Sequence, residues 1–249
     1  MNDGNYAQHA RFWDWSGHDR TEEHEYWLNY AAKYGRHVLI PMCAWGETGA
    51  YMAERGFSVT AFDITPEMIA EGKKRYGGVP GLALHEGDVT DFHFDIPPVD
   101  FCFSMDFEVL HSMEEVRKAI RCIHAHLRAG GCLAVKPFWP PKESGNWPLE
   151  TYLPFRQVYP GIKVWKTGHG RDDAKTRRRY ISQTFYAEYG DGHVESFENS
   201  FCAQCYTREE WRAALGECGF EVVREHGGLR MKKSFSAGDT IEAIKRAKE

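Results

Sequence analysis

Short apolar runs alternate with stretches of helical periodicity along the first 135 residues, and this alternation predicts an open α/β sheet. Residues 38–41, 58–62, 82–86, 101–105 and 132–135 read as five strands. The last is apolar throughout, as a strand covered on both faces should be. Helices are expected over 22–34, 49–55 and 66–76. For the third, Thr65 stands at the N-cap, Pro66 at the first helical position and Glu67 in the first turn. Ser112 followed by Glu115 is a capping-box pattern. Val116, Ile120, Ile123 and Leu127 then recur at helical spacing, and Gly130-Gly131 are expected to stop that helix.

The pattern changes after Lys136. Pro137, Pro140, Pro141, Pro148 and Pro154 predict a long irregular passage. Residues 162–167, 179–189 and 194–205 then read as strands, with Asp191-Gly192 as a hairpin turn between the second and third. Thr207 and Glu210 cap a further helix through Trp211 and Leu215, ended by Gly219. Strands at 220–224 and 240–244 complete the chain. The expected fold is a mostly parallel α/β sheet of seven strands, helices on both faces, with an antiparallel insert after the fifth strand. The expected organisation is an aromatic, helical region over 1–36, a ligand-binding core over 37–136, a cap over 137–206 and completion of the core sheet by 207–249.

Composition narrows the function. The 249 residues are 42% hydrophobic and 27% charged, enough for a substantial core. A net charge of −5 argues against a dedicated nucleic-acid binder, because the basic clusters Lys73-Lys74-Arg75 and Arg177-Arg178-Arg179 are local. Seven cysteines without disulfide spacing fit reduced thiols. The expectation is a cytoplasmic protein, monomer or homodimer, with neither a membrane nor a nucleic-acid partner. No metal is expected either, since Cys202 and Cys205 lack two further ligands at zinc-site spacing.

Ligands of open α/β sheets bind beyond the carboxyl ends of the strands. At the tip of the first strand, Gly46 lets a backbone approach a ligand closely or simply makes an ordinary strand-to-helix turn. Asp63 ends the second strand, where one carboxylate can receive two vicinal sugar hydroxyls; the alternative is a second cap for the following helix. Asp88, after the third strand, can accept from an exocyclic amine while the Val89 N–H serves a ring nitrogen; the alternative is a solvent-facing turn. Ser104 to Glu108, with Leu110-His111 beyond, mark the edge where the reacting end of a ligand should lie. His111 reads either as a functional imidazole or as a helix-flanking one.

These motifs resemble the class I methyltransferases that use S-adenosylmethionine: Ala61-Phe-Asp-Ile-Thr-Pro-Glu-Met68, Glu86-Gly-Asp-Val-Thr90, Val99-Asp-Phe-Cys-Phe103 continuing to Leu110-His111, and Leu127-Arg-Ala-Gly-Gly131. The resemblance implies a Rossmann-like fold with S-adenosylmethionine as cofactor. By it, Asp63 and Ile64 would contact the ribose side, and Asp88 and Val89 the adenine. Cys43, Ala44 and Gly46 would underlie the methionyl and ribosyl portions. Asp106 and Phe107 would border the sulfonium and the acceptor, with Asp106, Glu108 and His111 as catalytic candidates. The insert is similar to the cap of small-molecule N- and O-methyltransferases. The first motif departs from the family pattern, which carries an acid at the position of Ile40 and glycines at those of Met42 and Ala44. Alanine is tolerated there where φ is negative, whereas methionine narrows the space beside the ligand. Loss of the carboxylate removes a partner for the methionyl ammonium.

The acceptor is expected to be an amine or hydroxyl of a small polar metabolite. Tyr6, Trp13 and Trp15 belong to an aromatic N-terminal stretch that either covers the crevice as a lid or packs the first helix on the sheet. Trp139 and Arg156 are expected near the acceptor mouth, while Arg177 to Arg179 read first as solvated surface. Two alternatives accompany the methyltransferase reading. One is a cyclase or lyase releasing methylthioadenosine, motivated by the altered first turn. The other is a non-catalytic binding or regulatory protein that kept the fold.

Overall fold

The computed structural model describes residues 6–10, 20–104, 106–148, 161–226 and 239–247. Five parallel strands, β1 (His37–Pro41), β2 (Ser58–Asp63), β3 (Leu82–Glu86), β4 (Val99–Ser104) and β5 (Leu127–Val135), form most of the main sheet. Two further strands, β10 (Phe220–His226) and β11 (Thr240–Lys245), complete seven in the order β10-β11-β5-β4-β1-β2-β3. Strand β11 runs antiparallel to both β5 and β10. Chain order reverses between β1 and β4, which pair in parallel at Val38–Phe101 and Leu39–Cys102. The crevice at their carboxyl ends is therefore where this topology places a ligand.

Helices cover both faces. On one, α2 (Thr21–Ala31) and α3 (Glu47–Ala53) enclose a core of Trp27, Tyr30, Val38, Ile40 and Phe101, with Trp27 stacked on Phe103 at 4.4 Å. On the other, α5 (Met113–His126) and α6 (Arg208–Glu217) bury Leu39, Phe62, Ile120, Leu133 and Trp211. Both helices begin with complete capping boxes, Ser112 with Glu115 and Thr207 with Glu210. The remaining helices are α1 (Tyr6–Ala10) and α4 (Pro66–Tyr76). Thr65 makes no side-chain cap to α4; the Asp63 carboxylate instead accepts the Thr65 N–H at 3.0 Å.

Gly130-Gly131 do not stop a helix. Helix α5 ends at His126, Leu127 is already extended, and β5 runs through the glycine pair. Leu127 pairs with Val99, and the next pair is Cys132 with Phe101, so residues 128–131 bulge out of the ladder. Gly130 takes a left-handed φ of 71°, and a Cβ on Gly131 would stand 3.0 Å from the Arg128 carbonyl. A helix stop and a bulge both ask for glycine, which is why the two look alike in sequence.

The insert is a four-stranded antiparallel sheet, β6-β7-β8-β9. It comprises β6 (Gly145–Pro148), β7 (Lys163–Asp173), β8 (Arg178–Glu188) and β9 (Val194–Gln204). The proline-rich passage thus contains one short strand, at the sheet edge where a proline is tolerated. Asp191-Gly192 turns β8 into β9, with Gly192 at φ 84° and the Asp191 carboxylate accepting the His193 N–H.

Candidate cofactor and acceptor cleft

The turn after β1 is left-handed at every second residue: Met42 at φ 53°, Ala44 at 50° and Gly46 at 79°. The condition for a harmless alanine, a negative φ, is not met. Each non-glycine residue in this region costs roughly 1–2 kcal/mol and persists only where its surroundings over-determine it. Here they do. The Ala44 N–H donates to Asp63 Oδ2 at 2.9 Å, the Cys43 N–H to the Phe62 carbonyl at 3.0 Å, and the Gly46 N–H to the Cys43 carbonyl at 2.9 Å. At Gly46 a Cβ would meet Leu84 Cδ2 at 2.5 Å. Met42 leans on the main core and leaves a cleft between this turn and the end of β4, lined also by Cys43, Ala44, Arg20, Ser104 and Asp106.

Asp63 takes the structural role anticipated for it at the boundary before α4. Its two oxygens accept the Ala44 and Thr65 N–H groups, which uses two of about four lone-pair sites. Burial pushes its pKa up, against the pull of those N–H donors. The neighbouring Ile64 side chain is 64% exposed, an apolar platform beside the carboxylate. Asp88 is exposed and closes its own turn, accepting both the N–H and the hydroxyl of Thr90 at 2.8 Å. Val89 sends its side chain into the core.

The reacting end is more charged than the sequence suggested. Asp106 opens into the cleft, and desolvation by the surrounding protein pushes its carboxyl up to about 6 against the pull of Lys136 and Arg20. Arg20, just before α2, binds Glu23 at 2.9 Å and approaches Glu47 at 3.8 Å. Burial alone would raise the Glu23 pKa, but Arg20 outweighs it and holds the group below the usual carboxylate range. Lys136, 4% exposed at the end of β5, completes the cluster. Beside it the buried Ser104 Oγ has no hydrogen-bond partner among the described residues. Lys136, Asp106 and Glu23 thus stand close enough to bear on one another's charge. Lys136 alone offered a signal, as a cation directly following an apolar strand; Arg20 and Glu23 lie over 80 residues away in sequence.

Several anticipated site residues are employed elsewhere. Phe107 is 1% exposed and packs edge-on against Trp211 at 5.8 Å, so its side chain belongs to the core. Trp139 does not line an acceptor mouth with a free ring: its Nε1 donates to Asp239 at 2.8 Å and Arg208 lies 4.4 Å over its face. His111 flanks α5, its N–H donating to Glu115 at 2.8 Å, while its buried Nε2 lacks a partner among the described residues. Glu108 lies on a 3-10 turn, Phe107–Val109, its side chain outside the described residues. Tyr6 packs on Ala44, Trp45 and Met68, and the Ala10 carbonyl accepts from Trp45 Nε1, which seats α1 on the first turn. Trp13, Trp15 and Arg156 lie outside the described residues.

A family profile described as a methyltransferase domain matches residues 38–131. The dTDP-3-amino-3,4,6-trideoxy-alpha-D-glucopyranose N,N-dimethyltransferase of Streptomyces venezuelae is 25% identical over 211 residues, covering 84% of this chain and 81% of its own. The dTDP-3-amino-3,6-dideoxy-alpha-D-glucopyranose N,N-dimethyltransferase of Streptomyces fradiae is 24% identical over 77% of this chain and 72% of its own. Among solved structures, SAM-bound CalS10, an amino pentose methyltransferase from Micromonospora echinaspora, superposes with a TM-score of 0.67 at 21% identity, covering 96% of this chain and 94% of its own. Streptomyces venezuelae DesVI gives 0.72 at 18% identity over 98% and 93%. The seven-stranded order, the motif-bearing core and the antiparallel cap agree with these matches: residues 38–131 match a methyltransferase domain, and the fold, insert included, resembles that of small-molecule N-methyltransferases.

Proposed function

We propose that this methyltransferase acts on an amine of a small polar metabolite, of the amino-sugar kind named for its relatives. The observation that carries the choice of amine is the Asp106 carboxylate, which lines the cleft between the first turn and the end of β4. Such a group accepts a proton or hydrogen bond from an ammonium. An anionic acceptor finds less support, because the arginines of the insert do not line the cleft and pair with other residues. Arg177 pairs with Glu210, Arg178 with Gln204, and Arg179 binds Asp172 through two hydrogen bonds of 2.8 and 2.9 Å.

The residues fit the cofactor. The unused lone pairs of Asp63 suit ribose hydroxyls, Ile64 offers an apolar face to the adenine, and Arg20 suits the methionyl carboxylate. S-adenosylmethionine supplies an activated methyl, so alignment and a dry cleft are the protein's main contribution. Asp106 would orient the acceptor amine and take its proton, exposing the lone pair. The cyclase reading drew its motive from lost methionyl anchors; Arg20 supplies an anchor from outside the first motif. Incubation with S-adenosylmethionine and paired amino- and hydroxy-sugar nucleotides tests the reading by product analysis. N-methylated product with S-adenosylhomocysteine is expected. Methylthioadenosine as the sole nucleoside product, or methylation of the hydroxy partner alone, would overturn it.

A further inference from the structure

Beneath the adenosine side of the cleft lies a ring cluster that the chemistry above does not use. Phe62, the residue before Asp63, meets Phe92 at 4.5 Å and Phe94 at 5.1 Å. Gly87, whose N–H donates to the Asp63 carbonyl at 3.0 Å, has the Phe94 and Phe62 rings 3.1 and 3.2 Å from where its Cβ would stand. The segment 87–98, which carries Asp88 and Val89, is therefore seated on these rings.

His126, the last residue of α5, locks the seat. Its ring stacks on Phe92 at 4.6 Å and meets Phe94 edge-on at 6.3 Å. The Phe94 N–H donates to His126 Nε2 at 3.1 Å, and His126 Nδ1 lies 2.8 Å from the Cys122 carbonyl. A backbone N–H can only donate and a carbonyl can only accept. The imidazole is therefore neutral, with its proton on Nδ1. A second proton on Nε2 would set two donors against each other and free Phe94.

We propose that His126 is a positioning residue for the adenine side of the cofactor site, holding segment 87–98 in place only while its imidazole is neutral. The proposal rests on the cofactor reading above. Asp95 and His93 line the same surface groove. His85 of β3 stacks on Phe94 at 4.9 Å, the Cys122 thiol donates to the Thr90 carbonyl at 3.4 Å, and Asp91 lies close enough to Cys122 to bear on its charge.

The test is the affinity of S-adenosylhomocysteine and of methylthioadenosine, measured by calorimetry from pH 8 to pH 5.5. Methylthioadenosine lacks the methionyl tail, so groups that read that tail do not enter its result. Affinity of the unsubstituted protein for both ligands is expected to weaken by roughly 5- to 50-fold on acidification, the equivalent of losing one buried hydrogen bond. In His126→Gln, whose amide can still accept from Phe94 and donate to Cys122, that weakening is expected to vanish. A pH dependence identical in the two proteins, or none in the unsubstituted one, would overturn the proposal. Failure of the unsubstituted protein to bind either ligand at pH 8 would instead remove the cofactor reading beneath it.

Discussion

The left-handed first turn makes a sharp prediction about Ala44. At an ordinary backbone position, exchanging a buried alanine for glycine destabilises a protein twice over: glycine has more unfolded freedom, roughly 0.5–1 kcal/mol, and a methyl leaves the core, about 0.8 kcal/mol. At φ 50° the exchange also relieves a conformational cost of roughly 1–2 kcal/mol. Ala44 is 8% exposed, so its methyl counts almost in full. The three effects nearly cancel, and Ala44→Gly should lie within about 0.8 kcal/mol of the parent. Gly46→Ala reverses the argument: φ is 79° and the new methyl would stand 2.5 Å from Leu84 Cδ2. A loss of roughly 1–4 kcal/mol is expected, combining strain with overpacking. Urea unfolding at fixed pH measures both, with an unchanged m-value as the check that only stability moved. An Ala44→Gly loss of about 1.5 kcal/mol, as at any ordinary position, together with a silent Gly46→Ala, would refute a left-handed turn.

Other substitutions separate binding from folding. Arg20→Gln should weaken S-adenosylhomocysteine roughly 10- to 100-fold, the worth of a hydrogen bond to a charged group, and leave methylthioadenosine unaffected. Equal losses for both, measured by calorimetry, would place the methionyl carboxylate elsewhere. If the Asp106 carboxylate receives the acceptor proton, its raised pKa means that kcat/KM falls as pH drops through about 6, where the group becomes protonated. Asp106→Asn should be uniformly slow without that step, and a variant keeping the parental profile would exclude Asp106 from the proton path. Trp139→Phe removes the bond to Asp239 and should cost about 1 kcal/mol of stability with no change in acceptor KM. A selective rise in acceptor KM would return Trp139 to the binding surface.

What was legible in the sequence was local. Strand tips, both capping boxes and the Asp191-Gly192 hairpin each depend on residues within a few positions of one another, and the structure places them where the spacing does. Apart from the Thr65 cap and the Gly130-Gly131 bulge, what escaped depends on contacts between distant segments. Nothing near Trp139 announces that Arg208 and Asp239 will take up its face and its N–H, nor anything near Phe107 that Trp211 will bury it. The same limit explains the most puzzling feature of the first motif, the apolar Ile40 at a position where an acid was expected. Ile40 is 4% exposed and packs with Trp27 of α2. That helix lies across β4, with Trp27 on Phe103, and so carries Glu23 and Arg20 to the carboxyl end of the sheet. A buried carboxylate is therefore present at this end of the crevice, on the covering helix in place of the strand. Held there by Arg20 and beside Lys136 and Asp106, it gives this end of the crevice charges of both signs. The glycine-poor motif and the charge-rich helix are thus two halves of one arrangement. A reading confined to the strand turn sees only the half that was lost.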